Sequence, residues 1–148
     1  MCGIWAYIGQ GTAKGVDEAA AALVARGPEG TRILKLDGAT FVFTRLAING
    51  LNPAGMQPFD LGGQVFMCNG EIYNAAALAT EIGYESVSGS DCEVLGALWK
   101  ACAGDAIAFA RALDGVFALV VKDGDDYVVA RDPYGVRPLY CARAEDGY

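Results

Sequence analysis

The second residue of the chain is a cysteine, in the opening run MCGIWAYIG. Loss of Met1 would place a free α-amine and a thiol on the same carbon of Cys2. A terminal amine, with an ordinary pKa of about 7.7–8.0, is suited to accept a proton near neutral pH. A thiol, with an ordinary pKa of about 8.5, is the nucleophile such a base would serve. The competing reading is a small apolar residue in a buried first strand, a common fate of free cysteine. The chain contains no histidine, so neither a Cys–His nor a Ser–His dyad can form within it, and histidine-liganded metal sites are excluded too. A nucleophile here must take its base from an amine, a carboxylate or another chain.

Other residues could serve such a nucleophile. In CNGEIYN, Asn69-Gly70 follows an apolar run and predicts a tight turn offering a side-chain amide beside a backbone N–H. Two donors at one point can bind a developing oxyanion, although an ordinary Asn-Gly turn reads the same way. Arg45 lies between Phe43 and Leu46, Glu71 follows the Asn-Gly pair, and Asp91 begins a helical pattern after SGS. One arginine and two acids form a minimal set for the carboxylate and ammonium of an amino acid. Taken singly, each also reads as a cap, a salt bridge or surface, and Asp91 has a plain N-cap explanation. SGSDCEV lacks the strand–loop–helix frame of a phosphate loop, so no nucleotide site is indicated.

These residues must be positioned by a single domain. At 148 residues, 53% hydrophobic and 20% charged, the chain can bury a core without staples. A formal charge of −7 argues against a nucleic-acid partner. No run approaches the roughly 18 apolar residues of a membrane span, and no signal peptide or lipidation motif is present. Five cysteines, at 2, 68, 92, 102 and 141, are odd in number and form no C-x-x-C pair. Neither a disulfide framework nor a zinc site is expected, and the chain reads as a reduced, cytoplasmic protein.

The spacing predicts a strand over 2–8 and a helix in GVDEAAAALVARG. TRILKL and TFVFTRLAI are predicted as strands around the hairpin signal Asp37-Gly38. LNPAGMQPF reads as a loop, and GQVFMC as a strand running into NGEIYN. NAAALATEIG, SDCEVLGALWKACAG and DAIAFARAL carry helical spacing; in the second, Ser90 or Asp91 would cap and Val94, Leu95, Leu98 and Cys102 would face inward. GVFALVVKD, DYVVARD and PLYCARA are predicted as three closing strands. Strands at both ends with helices between them indicate an α+β fold.

MCGIWA, RGPEG, TRLAIN, GMQPF, CNGEIYN, SGSDCEV, LDGVFALVV and RDPYGVRPLY occur in this order. In this they resemble the class II glutamine amidotransferase domain of glutamine-hydrolysing asparagine synthetases, with wording nearest the eukaryotic type. Related glucosamine-6-phosphate synthases and amidophosphoribosyltransferases share only parts of the pattern. The resemblance covers residue 2 to about 140 and implies an N-terminal-nucleophile fold, a four-layer αββα sandwich of two antiparallel sheets between helices.

The same resemblance implies removal of Met1 and attack of Cys2 on the side-chain amide of L-glutamine. Asn69 and Gly70 would form the oxyanion hole. Arg45 would hold the α-carboxylate and Glu71 and Asp91 the α-ammonium, while the backbone of Leu46, Ala47, Ile48 and Asn49 would line the pocket. Glutamate and ammonia would result, the ammonia going to a synthetase domain or partner chain. ATP and magnesium would belong to that synthetase part, with no cofactor or metal in this chain. A homo-oligomer is left open.

Some positions depart from the family pattern. Ala25, and Phe43 or Thr44, stand where the family often has histidines. Glu29 replaces an aspartate, and Asn49 an apolar residue. The family's domain also runs on with another strand and a Ser-Glu segment before its synthetase domain, so residues 1–148 are expected to lack the domain's end. The alternative to a glutaminase is an impaired relic or a regulatory module that binds glutamine without turnover.

Overall fold

A computed structural model describes all of residues 1–148. Seven strands and four helices follow in the order β1 (Gly3–Ile8), α1 (Val16–Leu23), β2 (Gly30–Leu36), β3 (Ala39–Arg45), β4 (Phe59–Asp60), β5 (Gln64–Ile72), α2 (Ala75–Ile82), α3 (Val94–Ala101), α4 (Ala106–Ala112), β6 (Gly115–Asp123) and β7 (Asp126–Arg131). Short 3₁₀ turns span Pro53–Gly55 and Asp91–Glu93.

Two antiparallel sheets result, one ordered β1-β3-β2 and the other β4-β5-β6-β7. The Asp37-Gly38 hairpin sets the register of the first, pairing Leu36 with Ala39. Gly38 takes φ 69° there, a left-handed backbone that glycine adopts without a Cβ penalty.

Side-chain alternation builds the layers. Phe41 and Phe43 of β3 meet Val65 and Met67 of β5 and Val120 of β6 between the sheets. The opposite face of the second sheet presents Phe66, Cys68, Ile72, Phe117, Leu119 and Val121 to Leu78, Leu95, Leu98, Trp99 and Phe109 of α2, α3 and α4. Strands β5 and β6 are therefore buried on both faces, which is why they read as continuous apolar runs. Each fully buried phenylalanine contributes roughly 1.5–3 kcal/mol. Helix α1 covers the outer face of the first sheet, where Thr44 Oγ1 donates to the Leu23 carbonyl at 3.0 Å. The order helix, sheet, sheet, helices agrees with the expected αββα sandwich.

Several local expectations need correction. Asn69-Gly70 is not a turn: both residues lie inside β5, paired with Ala118 and Phe117. Neither Ser90 nor Asp91 caps the helix that follows; Asp91 bonds to the backbone of β5 instead. Of the predicted inner-face residues, Cys102 is only half-buried, and Trp99 takes its place in the core. PLYCARA forms no strand. Its neighbourhood is organised by the buried Asp132, whose carboxylate accepts N–H bonds from Phe117, Tyr134, Val136 and Arg137. Local bonding of this kind satisfies the backbone without a ladder. Strand β3 ends at Arg45, so Leu46, Ala47 and Ile48 leave the sheet.

Candidate active site

One cleft opens where β1 begins and β3 and β5 end. It is lined by every candidate named from the sequence: Cys2, Arg45, Leu46, Ala47, Ile48, Asn49, Asn69, Gly70, Glu71 and Asp91.

Cys2 sits just before β1 and is half-buried. Its sulfur is 3.4 Å from both the backbone nitrogen and the carbonyl oxygen of Leu46. Burial pushes the Cys2 thiol above its ordinary range, opposed by the Leu46 hydrogen bond, the terminal ammonium and Arg45. Arg26 Nε donates to the Cys2 carbonyl at 3.1 Å and so fixes the backbone that carries the thiol. Met1 lines the cleft; while it is attached, the Cys2 nitrogen is a peptide amide and no base.

The opposite wall comes from the edge of β5 left unpaired where β4 stops. Phe117 exchanges hydrogen bonds with Asp132 on the β7 side. In an antiparallel ladder, residues alternate between bonding to one neighbour and to the other. Gly70, opposite Phe117, therefore directs its N–H away from β6, toward the edge where β4 has already ended. Side chains occupy that edge on either side of it. Gln57 Oε1 accepts the Cys68 N–H at 2.6 Å, and Gln57 Nε2 donates to the Cys68 carbonyl at 3.3 Å. Asp91 Oδ2 accepts the Ile72 N–H at 2.7 Å.

Between these clamps the Gly70 N–H faces the cleft. A Cβ on Gly70 would collide with the Val116 carbonyl and with Phe117, so β6 can approach only a glycine. The Asn69 carboxamide is nearly buried in the same cleft. The two expected donors are thus together, held by a capped strand edge rather than by a turn.

The charged residues form the third side. Arg45 Nη2 donates to the carbonyls of Gly50 and Asn52 at 2.6 and 2.9 Å, and these two bonds fix the guanidinium at the cleft wall. Asp91 Oδ1 accepts from Asn49 Nδ2 at 3.2 Å. Glu29 Oε1 accepts the Ala47 N–H at 3.0 Å. The two departures at Glu29 and Asn49 therefore pin the 46–49 loop to its surroundings.

Among the cleft residues that sequence reasoning did not assign to the site, three make polar contacts with it. Arg137 lies 3.7 Å from Glu71, Gln57 clamps Cys68, and Cys92 points its thiol at the Gly70 carbonyl, 3.8 Å away. Arg137 and Gln57 lay within RDPYGVRPLY and GMQPF, so motif membership was the available signal.

Fold and cleft together define an α+β sandwich of two antiparallel sheets between helices, with a cysteine at its open end. Sequence comparison carries this further: the chain belongs to the glutamine amidotransferase domain family, whose profile matches residues 1–148. It is similar to the glutamine-hydrolysing asparagine synthetases of Gallus gallus and Homo sapiens, at 37% identity to each across 100% of this chain and 28% of theirs. It is 39% identical to asparagine synthetase B of Escherichia coli K12, across 82% of this chain and 22% of that one. The chain spans about a quarter of the length of these relatives and corresponds to their glutaminase portion. No helix is long and apolar enough to cross a membrane.

Proposed function

We propose that this chain hydrolyses the side-chain amide of L-glutamine and passes ammonia to a synthetase domain or partner chain of asparagine-synthetase type. The observation that carries the reading is the convergence on one cleft of the Cys2 thiol, the Asn69–Gly70 donor pair, and Arg45 with Glu71 and Asp91.

After Met1 is removed, the Cys2 amine takes the thiol proton. The sulfur then attacks the amide carbonyl carbon, and the oxyanion is stabilised by Asn69 Nδ2 and the Gly70 N–H. The amine returns its proton to the leaving nitrogen, ammonia departs, and water hydrolyses the thioester to glutamate. Arg45 binds the α-carboxylate, Glu71 and Asp91 bind the α-ammonium, and the Leu46–Asn49 backbone forms the pocket wall. Every group in this scheme belongs to the protein, so the glutaminase step calls for no cofactor; ATP and magnesium would act only in the synthetase part. Because all five cysteines are free, we place the chain in the reducing cytoplasm.

The test joins N-terminal mass measurement to an assay of glutamate release, on the wild type and on Cys2→Ala. The reading requires release by wild-type chains that have lost Met1, and none by the variant. Equal release by Cys2→Ala would sink it. The alternative reading, glutamine binding without turnover, is separated by the same measurements. It predicts a retained Met1 and saturable glutamine binding with no glutamate formed.

A further inference from the structure

Glu93 lies outside the cleft and in none of the catalytic roles above, yet it is the most heavily bonded side chain beside it. It is 4% exposed. Its Oε1 accepts from Tyr84 Oη at 2.7 Å and from the Val87 N–H at 3.0 Å. Its Oε2 accepts from Ser86 Oγ at 2.6 Å, the Ser88 N–H at 2.8 Å, and Ser88 Oγ. One carboxylate thus gathers the whole 84–88 segment.

That segment forms the back of the recognition side. Ser88 Oγ accepts the N–H of Ser90 at 3.0 Å, one residue before Asp91. The Ser88 carbonyl accepts from Asn52 Nδ2 at 3.0 Å, and the Asn52 carbonyl is one of the two acceptors fixing Arg45. Gly50, whose carbonyl is the other, lies so close that a Cβ there would come within 2.8 Å of Ser90 N. A continuous chain of bonds therefore runs from Glu93 through Ser88 to Asp91 on one side and to Arg45 on the other.

We infer that Glu93 is a positioning residue that sets the spacing between Arg45 and Asp91, and so the fit of an α-amino-acid head group. This rests on reading the cleft as a glutamine site. The Cys2 thiol is held by separate contacts, to Leu46 and Arg26, and the Cys68–Asn69 stretch by Gln57; only the far side of Gly70 shares the Asp91 clamp, at Ile72. Disturbing Glu93 therefore loosens recognition and leaves bond breaking largely intact, a KM effect rather than a kcat effect.

The test compares full-length wild type, Glu93→Gln and Ser88→Ala. Three readouts are taken: glutamine hydrolysis, alkylation of Cys2 by a diazoketone analogue of glutamine, and alkylation by iodoacetamide, which has no head group to recognise. Glu93→Gln is expected to raise KM at least tenfold with kcat within threefold, and Ser88→Ala to raise KM several-fold. Analogue alkylation should slow in parallel while iodoacetamide alkylation stays near wild type. If Glu93→Gln does not fold, Ser88→Ala, which keeps the carboxylate, carries the test alone.

Folded variants with unchanged KM overturn the inference, as does equal slowing of both alkylations. A wild type that neither hydrolyses glutamine nor reacts with the analogue overturns the glutaminase reading itself, and this inference with it. An active wild type with unaffected variants overturns this inference only.

Discussion

The sulfur of Cys2 lies 3.4 Å from both the nitrogen and the carbonyl oxygen of Leu46, the first residue past the end of β3. The thiol is thereby held against the loop proposed to wall the glutamine pocket. The N–H of Leu46 stabilises a thiolate, while burial opposes one, and burial dominates. In chains that keep Met1, iodoacetamide alkylation of Cys2 should rise with pH along a curve displaced above that of an exposed cysteine. A curve displaced below it would contradict the burial argument.

Asn69 and Gly70 flank one peptide unit of β5, so the proposed oxyanion donors can be tested separately from the nucleophile. Asn69→Ala is expected to lower kcat about 10²–10³-fold, the usual cost of one oxyanion donor, with KM moved far less. A variant with normal kcat would remove Asn69 from the oxyanion hole.

Gln57 substitutes for a strand where β4 has ended, bonding both polar groups of Cys68. Gln57→Leu leaves a buried N–H and C=O without partners, at about 1–3 kcal/mol for each unsatisfied group. Denaturant unfolding should show a loss of about 2–6 kcal/mol for the two groups together. Because Cys68 adjoins Asn69, kcat should fall as well; loss of stability with kcat preserved would separate the clamp from the donors.

The pH dependence of stability follows from Glu93. Burial alone would raise its pKa, but the hydroxyls of Ser86, Ser88 and Tyr84 and the Ser88 N–H outweigh burial and hold it at about 2, below the ordinary 4.5. The folded state therefore binds this proton less readily than the unfolded chain. The resulting stability is fully present above pH 4.5 and is lost as pH falls from there toward 2. The shift corresponds to about 3 kcal/mol. Glu93→Gln should be less stable than wild type at pH 7, with a shallower decline between pH 4.5 and 3. Parallel declines in the two proteins would show that Glu93 is not the group responsible.

Much of the fold was legible because it depends on short-range pattern. The Asp37-Gly38 hairpin, the apolar runs of β5 and β6 and the helices through Ala75–Ile82 and Ala106–Ala112 all carry their own periodicity or turn chemistry. PLYCARA misled because its apolar content resembles a strand, whereas Asp132 satisfies the neighbouring backbone without one. The N-cap expected at Ser90 or Asp91 failed for a related reason. A carboxylate near a helix start has competing backbone donors, and the Ile72 N–H of a strand distant in sequence won.

The residue types of the site were determined by the sequence alone. A cysteine behind the initiator methionine, the absence of histidine and the CNGE and SGSD runs are chemical facts that need no coordinates. The tertiary structure decided how those residues reach one another and which groups remain available. Whether the Gly70 N–H is spent in a ladder depends on the register against Phe117 and on where β4 stops, and both are long-range properties. The same holds for Glu93, whose acceptor capacity is local but whose influence on Arg45 runs through Ser88 and Asn52 across the fold.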